Sequence, residues 1–477
     1  MKHWRILLAS ALALLVLATL VCFGAWYYLY REVPDSYNRD DEQFKYGSIG
    51  TEDHDGIPYW IWLVLPRVFP EKLPGPGGYT SLGVTWEEGQ ETPVGFTKKT
   101  IGFERVGLTC AACHTATYRV DGRDKPTIVP GGPSSKFDVQ AYLQFLQNCA
   151  NDPRFNADTL MQEISYNHRF SPIEGLLYRC LVIAQTKQAL LEQKREFSWM
   201  DSRPRWGPGR TDFFNLVKFR LLGMPVDNTI GNSDMMSIWN RQAHGGPALH
   251  WDGLESSLTE TIRMGAIADG ATKQSVNITC LERIEKYISN LSAPAYPFAI
   301  DHELAARGQQ IFQEQQCYVC HAPGGQRAGQ IIPLTEPDLG TDRHRIEMWT
   351  QEAADRYNHF SDGYSWGFHH VRKVVPEGYQ AVLLDGLWLR APYLHNGSVP
   401  TLKDLLTTPA DRPKKFYRGY DVLDQQDVGF VSTGPDAARL GFEYDTSLPG
   451  NSNQGHTFGT NLPDDQKRAL IEFLKTL

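Results

Sequence analysis

The 477-residue sequence has no long run of acidic or basic residues, and its formal net charge is −8. A nucleic-acid surface or a polybasic lipid-binding surface needs clustered lysine and arginine, so the sequence supports neither. The sequence also has no methionine after Met348, which excludes a thioether ligand from any metal site built by the last part of the chain. With 41% hydrophobic and 12% aromatic residues, the chain has enough apolar side chains for two or three globular domains.

The first segment of the chain lacks charge altogether between Ile6 and Tyr30, a run of 25 residues. That length is sufficient for a membrane-spanning helix. A cleaved signal peptide has a shorter apolar region followed by small residues, whereas this run continues into aromatic residues. The segment therefore predicts an uncleaved signal anchor, with cleavage as the alternative. Lys2 and Arg5 before it favour a cytoplasmic N-terminus, which places the main body in the periplasm of a bacterium.

Two short segments share one pattern of cysteine and histidine. They are "TCAACHTATY" at Thr109–Tyr118 and "QCYVCHAPGG" at Gln316–Gly325, about 200 residues apart. On a helix, both cysteines and the histidine of such a segment lie on one face. Two thiols can then add to the vinyl groups of a porphyrin while the imidazole binds its iron, which is the c-type haem pattern. We expect two covalent haems, held by Cys110, Cys113 and His114 and by Cys317, Cys320 and His321.

Other uses of the cysteines fit the sequence less well. A structural zinc site takes four ligands from closely spaced pairs, whereas these pairs lie far apart and each is followed by histidine. A dithiol redox pair belongs in a thioredoxin-like context, which neither flank shows. On the exported side, Cys149, Cys180 and Cys280 remain, and they allow one disulfide among three pairings with one thiol left over.

The second motif lies at the start of a cytochrome c domain. Apolar residues recur at helical spacing before it, from Leu304 to Phe312, and the last fifteen residues begin with an acidic first turn and continue as an apolar stripe. These two helices are expected to pack across each other. The expected domains are a transmembrane anchor at 1–30, an N-terminal haem domain with a helical insertion at 31–300, and a C-terminal cytochrome c domain at 301–477.

The second axial ligand of the C-terminal haem must be sought among histidines. Those downstream of His321 are His344, His359, His369, His370, His395 and His456. His456 lies in a Gly/Asn-rich loop before the final helix, where a cytochrome c chain customarily passes over the open haem face. We predict a bis-imidazole pair of His321 and His456, which favours a lower potential than His/Met ligation. A surface histidine is the alternative.

The sixth ligand of the first haem is less determined. The candidates are His168, His244, His250, Met161, Met200, Met224, Met235, Met236 and Met264. The richest stretch, Asp234–Gly253, carries two Trp, two Met and two His. It either supplies a ligand, lines an open pocket, or forms a buried aromatic corner without haem contact. The distinction matters because a five-ligand iron binds dioxygen or peroxide, whereas a six-ligand iron mostly transfers electrons.

With these motifs the sequence resembles the bacterial di-haem cytochrome c peroxidase superfamily, and within it the branch that includes the di-haem rubber oxygenases. The resemblance covers most of residues 100–477. Besides the two haem motifs, it rests on the segments Gly207–Phe219, Ser237–Gly253, Arg390–Leu406 and "GHTFGTNL" before the last helix. It implies a mainly α fold with two cytochrome c-like haem domains and long loops, preceded here by one transmembrane helix.

The resemblance also implies roles for the two haems. In the family, one haem faces peroxide or oxygen and the other relays electrons, with a tryptophan commonly between them. In the rubber-oxygenase branch the N-terminal haem binds oxygen and the C-terminal haem is bis-histidine. By that resemblance Trp239, His250 and Trp251 lie near the distal face of the first haem. The chain departs from the branch in its membrane anchor and in His250, which can close the site, so an insoluble polymer is not the expected substrate.

Two residues of "RAPYLHNG", Arg390 and His395, are expected beside the second haem or at the haem–haem contact, where they would hydrogen-bond propionates. An ordinary ion-paired arginine and a buried core histidine are the alternatives. Analogy with the peroxidases also allows a calcium ion between the domains.

The expected function is that of a membrane-anchored, periplasmic di-haem oxidoreductase. Its N-terminal haem would react with peroxide or oxygen, and its bis-His haem would exchange electrons with a donor or acceptor protein or a quinol enzyme. The alternative is a pure electron-transfer cytochrome with both irons six-coordinate. The sixth position of the first haem separates the two hypotheses.

Overall fold

Helices account for most of the regular structure in the computed structural model, which describes residues 2–35, 37–240, 249–364 and 377–477. The helices before residue 300 are α1 (Lys2–Leu29), α2 (Asp40–Tyr46), α3 (Tyr59–Val68), α4 (Val139–Ala150), α5 (Ala157–Ser165), α6 (Pro172–Leu177), α7 (Ile183–Glu196), α8 (Phe213–Leu216), α9 (Leu258–Ala268) and α10 (Ile278–Ser289). Those after residue 300 are α11 (His302–Glu314), α12 (Tyr318–His321), α13 (His344–Glu347), α14 (Gln351–Ser361), α15 (Leu402–Leu405), α16 (Gly434–Leu440) and α17 (Asp464–Leu474).

The strands are short and mostly form two-stranded ladders. They are β1 (Glu32–Val33), β2 (Ile57–Pro58), β3 (Phe96–Ile101), β4 (Phe103–Leu108), β5 (Thr115–Tyr118), β6 (Thr127–Pro130), β7 (Arg210–Thr211), β8 (Ser233–Asp234), β9 (Ile331–Pro333), β10 (Gly378–Gln380), β11 (Lys415–Arg418), β12 (Leu423–Asp424), β13 (Gly429–Phe430) and β14 (Phe442–Asp445). The largest sheet is antiparallel with the order β1-β3-β4-β2, and β4 leads directly into the first haem motif.

The N-terminal core lies between this sheet and helices α3, α4, α5 and α7. Its centre is Trp62, which is fully buried, stacks on Tyr79 with ring centres 4.4 Å apart, and donates from Nε1 to the hydroxyl of Tyr142 at 3.1 Å. The aromatic side chains of this region therefore form a tightly packed core next to the first motif.

One long helical segment with a local irregularity runs through the N-terminal half at residues 172–196. It begins at Ser171, whose hydroxyl and Glu174 form a capping box, and runs through α6, a π-helical turn at Tyr178–Val182, and α7. The π turn widens the helix where Tyr178 enters the core.

The predicted crossing of the first and last helices of the C-terminal domain is also present. Phe312 of α11 packs against Phe473 of α17, with ring centres 5.2 Å apart. At the crossing point, a Cβ on Gly308 would lie 1.9 Å from the carbonyl oxygen of Ala469. Only glycine lets the two backbones approach this closely, so Gly308 sets the geometry of the crossing.

The two halves of the chain are joined through the buried carboxylate of Asp421. It accepts hydrogen bonds from Thr117 Oγ1 at 2.9 Å and Arg119 Nε at 2.7 Å, and it pairs with Lys136 at 3.2 Å. The backbone N–H of Arg119 also donates to the carbonyl of Asp421 at 2.8 Å. Because all three partners follow the first haem motif, this contact fixes the C-terminal half against the first haem region.

Helix α1 contains a 23-residue apolar segment, Leu7–Leu29, with mean hydropathy 2.5. By length and composition it is sufficient to cross a membrane. This part of the anchor prediction agrees with the structure.

The prediction that both haem motifs lie on a helix is correct only for the second motif. Tyr318–His321 forms the short helix α12, whereas Cys110–Ala112 forms one 3₁₀ turn and the chain enters strand β5 at Thr115. The first motif is extended sooner because β5 must pair with β6. The turn still brings the His114 N–H to the carbonyl of Cys110, 3.0 Å away, so the motif remains closed on itself.

Candidate functional sites: two cysteine–histidine motifs

The first motif borders a cavity of about 310 Å³ in the N-terminal half. Cys110, Cys113 and His114 line one part of it, and most of the remaining lining is apolar. His114 Nδ1 lies 2.8 Å from the carbonyl oxygen of Met236, a contact in which the ring N–H donates. That bond fixes the tautomer with its lone pair on Nε2, as metal-binding imidazoles require. A large apolar cavity beside two thiols and one oriented imidazole fits a covalently attached porphyrin.

His250 lines the same cavity and is held by a carboxylate. Its Nε2 lies 3.1 Å from Glu255 Oε2, and the backbone N–H of Leu249 donates to the carbonyl of Glu255 at 2.7 Å. His250 adopts a left-handed backbone conformation with φ of 62°. The edge of its ring also meets Phe214, with ring centres 5.1 Å apart. The side chain is therefore oriented by specific contacts on both sides.

Glu255 is buried and receives a second hydrogen bond from the hydroxyl of Tyr357 at 2.5 Å. Burial alone would raise the pKa of Glu255, but the hydrogen bonds from His250 and Tyr357 outweigh this effect. The pKa of Glu255 is consequently lowered and the carboxylate is ionised at neutral pH. A charged acceptor thus stands behind His250.

Trp251 and Trp239 occupy different places. Trp251 lines the cavity and donates from Nε1 to the carbonyl of Asp234 at 2.8 Å. Within the described part of the chain, Trp239 does not line the cavity. It is fully buried, it donates from Nε1 to the carbonyl of Asp385 at 2.9 Å, and it lies between the backbones at Gly132 and Gly386. Trp239 therefore stands between the two halves of the chain rather than at the cavity wall.

Several other candidate ligands for the first site lie away from it. Met235, Met236 and Met264 line the cavity, whereas, among the described residues, His168, Met161, Met200 and Met224 do not. His168 stacks on Trp60 with ring centres 4.1 Å apart. His244 lies outside the described residues, as do His369 and His370 of the C-terminal half.

The second motif presents a pair of facing imidazoles. The rings of His321 and His456 have their centres 6.2 Å apart. Two imidazoles that bind one iron at about 2 Å each have ring centres roughly 6 Å apart, so the observed gap accommodates a metal. His321 Nδ1 donates to the carbonyl of Val382 at 2.8 Å, which leaves the lone pair on Nε2. His456 Nδ1 is buried and has no hydrogen-bond partner among the described residues.

Both imidazoles of this pair are held in the neutral form that ligation requires. Burial lowers the pKa of His321. Burial, with the nearby charge of Arg412, lowers the pKa of His456 to about 3. The site thus fits a bis-imidazole haem, with Cys317 and Cys320 at the adjoining turn.

The loop that carries His456 is fixed by its backbone and by one arginine. His456 has φ of 49°, and its N–H donates to the carbonyl of Leu339 at 2.8 Å. Arg412 is buried and donates to the carbonyls of Asn453, Gly455 and His456 at 2.6, 2.8 and 3.1 Å. One guanidinium therefore holds three carbonyls of the loop and sets the position of the ring.

Arg390 lies near the second site, whereas His395 lies beside the first cavity, where its carbonyl accepts a hydrogen bond at 2.8 Å from the N–H of the cavity residue Asp234. Arg390 donates to the carbonyls of Leu383 and Asp385, directly after the Val382 carbonyl that orients His321. His395 is buried and its ring stacks on Tyr379, with centres 3.8 Å apart. Its Nε2 is without a hydrogen-bond partner among the residues that the structure describes, and burial holds its pKa well below the usual range.

Comparison with known proteins identifies the C-terminal half. Residues 305–378 match the cytochrome c family, and residues 378–418 match the family described as RoxA-like, cytochrome c-like. The C-terminal half carries a RoxA-like cytochrome c domain. Cytochrome c domains carry covalently bound haem, so the second cysteine and histidine motif, which lies in the matched region, has a c-type haem as its cofactor.

Two relatives from Sinorhizobium fredii extend this relationship over more of the chain. The uncharacterized protein y4iJ is 44% identical, and the match covers 78% of this cytochrome and 77% of y4iJ. The uncharacterized protein y4iM is 31% identical over 51% of this chain, and the chain spans 64% of its length. The similarity to y4iJ shows that the two proteins belong to one family.

Sequence reasoning missed Glu255 and Arg412 of this cytochrome. Glu255 follows His250 by five residues in an irregular segment, so no periodic spacing links them, and Arg412 lies 44 residues before His456. A lone arginine without a nearby motif carries no sequence signal for its contacts with a distant loop.

The structure gives no support for a disulfide among the remaining cysteines or for a site that holds a metal other than iron, within the described residues. Cys149 and Cys280 are buried, Cys180 is exposed, and all three are free thiols. In the described ranges, no group of three or more His, Cys, Asp and Glu side chains is arranged to hold a metal ion. Calcium therefore stays a prediction from analogy.

Proposed function

We propose that this cytochrome is a membrane-anchored, periplasmic di-haem oxidoreductase. In this proposal its N-terminal site takes peroxide or dioxygen, and its C-terminal bis-His site exchanges electrons with a protein or quinol-enzyme partner. The observation that carries it is the contact of His250 Nε2 with Glu255 Oε2 at 3.1 Å in the first cavity. A histidine whose Nε2 is engaged by a carboxylate is arranged for proton transfer, not for ligation through that nitrogen.

The proposal of two haems is supported by the two independent motifs and their surroundings. Each motif has an imidazole whose Nδ1 donates to a backbone carbonyl, from His114 to Met236 and from His321 to Val382. The two motifs thus share the same arrangement for orienting a metal-binding ring.

At the first site, His250 and Glu255 are proposed to handle protons. A c-type haem with one open position supplies the binding of peroxide or dioxygen. With peroxide as the oxidant, His250 would accept its proton and return it to the oxygen that leaves as water, with the electrons that the haem would supply, and the ionised Glu255 would stabilise the imidazolium that forms in between. The apolar lining excludes water, which strengthens these electrostatic interactions.

At the second site, the buried imidazole pair is proposed to serve electron transfer. Two neutral nitrogen ligands leave no position for an oxidant. Tyr318 and Phe458, partly exposed beside His321 and His456, provide an apolar surface next to the site for a redox partner. Trp239 lies between the two halves and is the proposed aromatic connection between the sites.

His250→Ala tests the proposal against the electron-relay alternative. If His250 is a proton-transfer residue, EPR of the oxidised variant shows the same spin states as the wild type. The oxidation of the reduced variant by peroxide then slows by about 10²-fold or more. If His250 is instead a ligand, the variant gains a new high-spin signal. His168→Ala, which alters a histidine stacked on Trp60, is the matched control and should change neither property.

A further inference from the structure

Three strongly exposed apolar side chains lie at the corner between α5 and α6. Tyr166 is 71% exposed, Ile173 55% and Leu176 62%. We name these three residues the corner patch. Ile173, Leu176 and the exposed Cys180 share one face of the continuous helix, at positions i, i+3 and i+7. In the described part of the chain this face stays largely exposed, because Tyr178 and Val182 point to the core instead.

The end of helix α1 is attached to the body of the protein at the β3–β4 hairpin. After α1, strand β1 pairs with β3 in the register Glu32 with Ile101, and the N–H of Gly102 donates to the carbonyl of Arg31 at 2.8 Å. A Cβ on Gly102 would lie 2.5 Å from the carbonyl carbon of Leu29. The β3–β4 hairpin tip therefore touches the last turn of α1.

The corner patch is connected to that point by a short series of contacts. Phe103, the residue after Gly102, packs edge-on against Tyr178 with ring centres 5.8 Å apart. Leu176 and Ile173 precede Tyr178 on the same helix, by an axial rise of about 3 Å and about 8 Å. The patch thus lies on the helix that contacts the hairpin tip.

We propose that the corner patch rests on the lipid surface and holds the body against the membrane. The proposal rests on the proposed role of α1 as a membrane anchor. Its basis is the continuity between the end of α1, the hairpin tip and the exposed helix face. The contact is made by apolar side chains, which suits an interfacial helix and agrees with the absence of a polybasic run. Exposed Arg169 flanks the patch and is placed to meet anionic headgroups, whereas exposed Arg179 pairs with Asp158.

This arrangement would fix the orientation of the haem sites relative to the membrane. A body tethered only through α1 could rotate about residues 30–31, whereas a second contact at the patch removes that freedom. A membrane-bound quinol enzyme would then meet a constant face of the protein.

Lipid photocrosslinking of the full chain tests the proposal. The holoprotein is reconstituted into vesicles of phosphatidylethanolamine and phosphatidylglycerol that contain a phospholipid with a diazirine acyl chain, and adducts are mapped by mass spectrometry after irradiation. We expect adducts on residues 166–180 as well as on residues 6–30. The double variant Ile173→Ser, Leu176→Ser should lose roughly tenfold or more of the 166–180 adducts, because the apolar area that enters the lipid is removed.

Val226→Ser is the matched control, since Val226 is also exposed, at 59%, but lies in the loop after Met224. It should leave all adducts unchanged, and haem content should be equal in all three proteins. Adducts confined to residues 6–30 would overturn the patch while retaining the anchor. Adducts on neither segment would overturn the anchor as well. Adducts on 166–180 that persist in the double variant would show that these side chains do not make the contact.

Discussion

At the scale of single residues, the partner of each imidazole nitrogen indicates its role. Nδ1 of His114 and of His321 donates to a backbone carbonyl, which favours a lone pair on Nε2, whereas Nε2 of His250 meets a carboxylate. His456 Nδ1 is buried without a hydrogen-bond partner within the described ranges, and the ring of His456 faces that of His321 with the centres 6.2 Å apart. These differences separate candidate ligands from a candidate acid–base residue.

Removing His456 should open the second site. In His456→Ala we expect EPR of the oxidised protein to show a new high-spin signal, because one of two imidazole ligands is lost. His359→Ala alters an exposed histidine and should leave the spectrum unchanged. An unchanged low-spin signal in His456→Ala would show that another residue ligates the second iron.

Neutralising Glu255 should impair proton transfer at the first site. Glu255→Gln keeps a hydrogen-bonding side chain beside His250 but removes the charge that stabilises the imidazolium. Stopped-flow oxidation of the reduced protein by peroxide should slow by about 10²-fold. Glu282→Gln, at an exposed carboxylate paired with Arg263, should oxidise at the wild-type rate. Equal rates in Glu255→Gln and the wild type would contradict the acid–base role.

The residues that could be predicted from the sequence are those tied to a spacing or to a position next to an element. The cysteines and histidines of both motifs have fixed spacing, and His456 precedes the final helix in a Gly/Asn-rich loop. Glu255 and Arg412 were missed because their partners are set by loop conformation. His250 has φ of 62° and reaches Glu255 through an irregular turn that no periodic pattern describes.

At the scale of elements, apolar periodicity predicted the helices better than the strands. The final helix was expected from Pro463, and α17 runs from Asp464 to Leu474. The four-stranded sheet was not predicted, because two of its strands have two residues each and alternation cannot be recognised over so short a length. The first motif was predicted on a helix, but pairing of β5 with β6 extends the chain after His114.

Adding one methyl group at the α11–α17 crossing should destabilise the C-terminal domain. In Gly308→Ala the new Cβ meets the carbonyl oxygen of Ala469 at 1.9 Å, so the helices must separate. We expect the free energy of unfolding, measured by circular dichroism in guanidinium, to fall by about 1–3 kcal/mol. Gly175→Ala is the control, since its Cβ has no contact closer than 3.6 Å and alanine favours the helix. Equal losses in both variants would contradict the close crossing.

At the scale of the whole molecule, the two halves are connected by buried polar contacts as well as by the chain. Asp421 joins the C-terminal half to Thr117, Arg119 and Lys136, close after the first haem motif. Trp239 adds an aromatic contact between the halves. The sequence predicted neither junction, because both depend on residues that lie about 150–300 positions from their partners.

The Asp421 junction should make stability depend on pH. Burial alone would raise the pKa of Asp421, but Lys136 and Arg119 outweigh it, so the pKa in the folded protein lies below the ordinary value of 3.8. The contribution of ionised Asp421 to the free energy of unfolding is therefore complete above about pH 4. It is lost as the pH falls through the pKa of Asp421 in the folded protein. Asp421→Asn should cost about 3–5 kcal/mol at pH 7, and its difference from the wild type should shrink below about pH 4.

Denaturant unfolding of both proteins at pH 7 and pH 3 measures this difference. Asp436→Asn, in an exposed pair with Arg439, is the control and should cost about 1 kcal/mol or less at either pH. A difference between Asp421→Asn and the wild type that is the same at both pH values would contradict a charge-based junction.

The central claim, an open first haem beside a closed second haem, is tested most directly by ligand binding to the full-length protein in detergent. EPR of the oxidised protein with cyanide and visible spectra of the reduced protein with carbon monoxide should show two haems per chain. One of them should be high-spin and bind the added ligand, while the other stays low-spin and unchanged. If both haems are low-spin and indifferent to cyanide and carbon monoxide, the first site is closed and the protein is an electron relay.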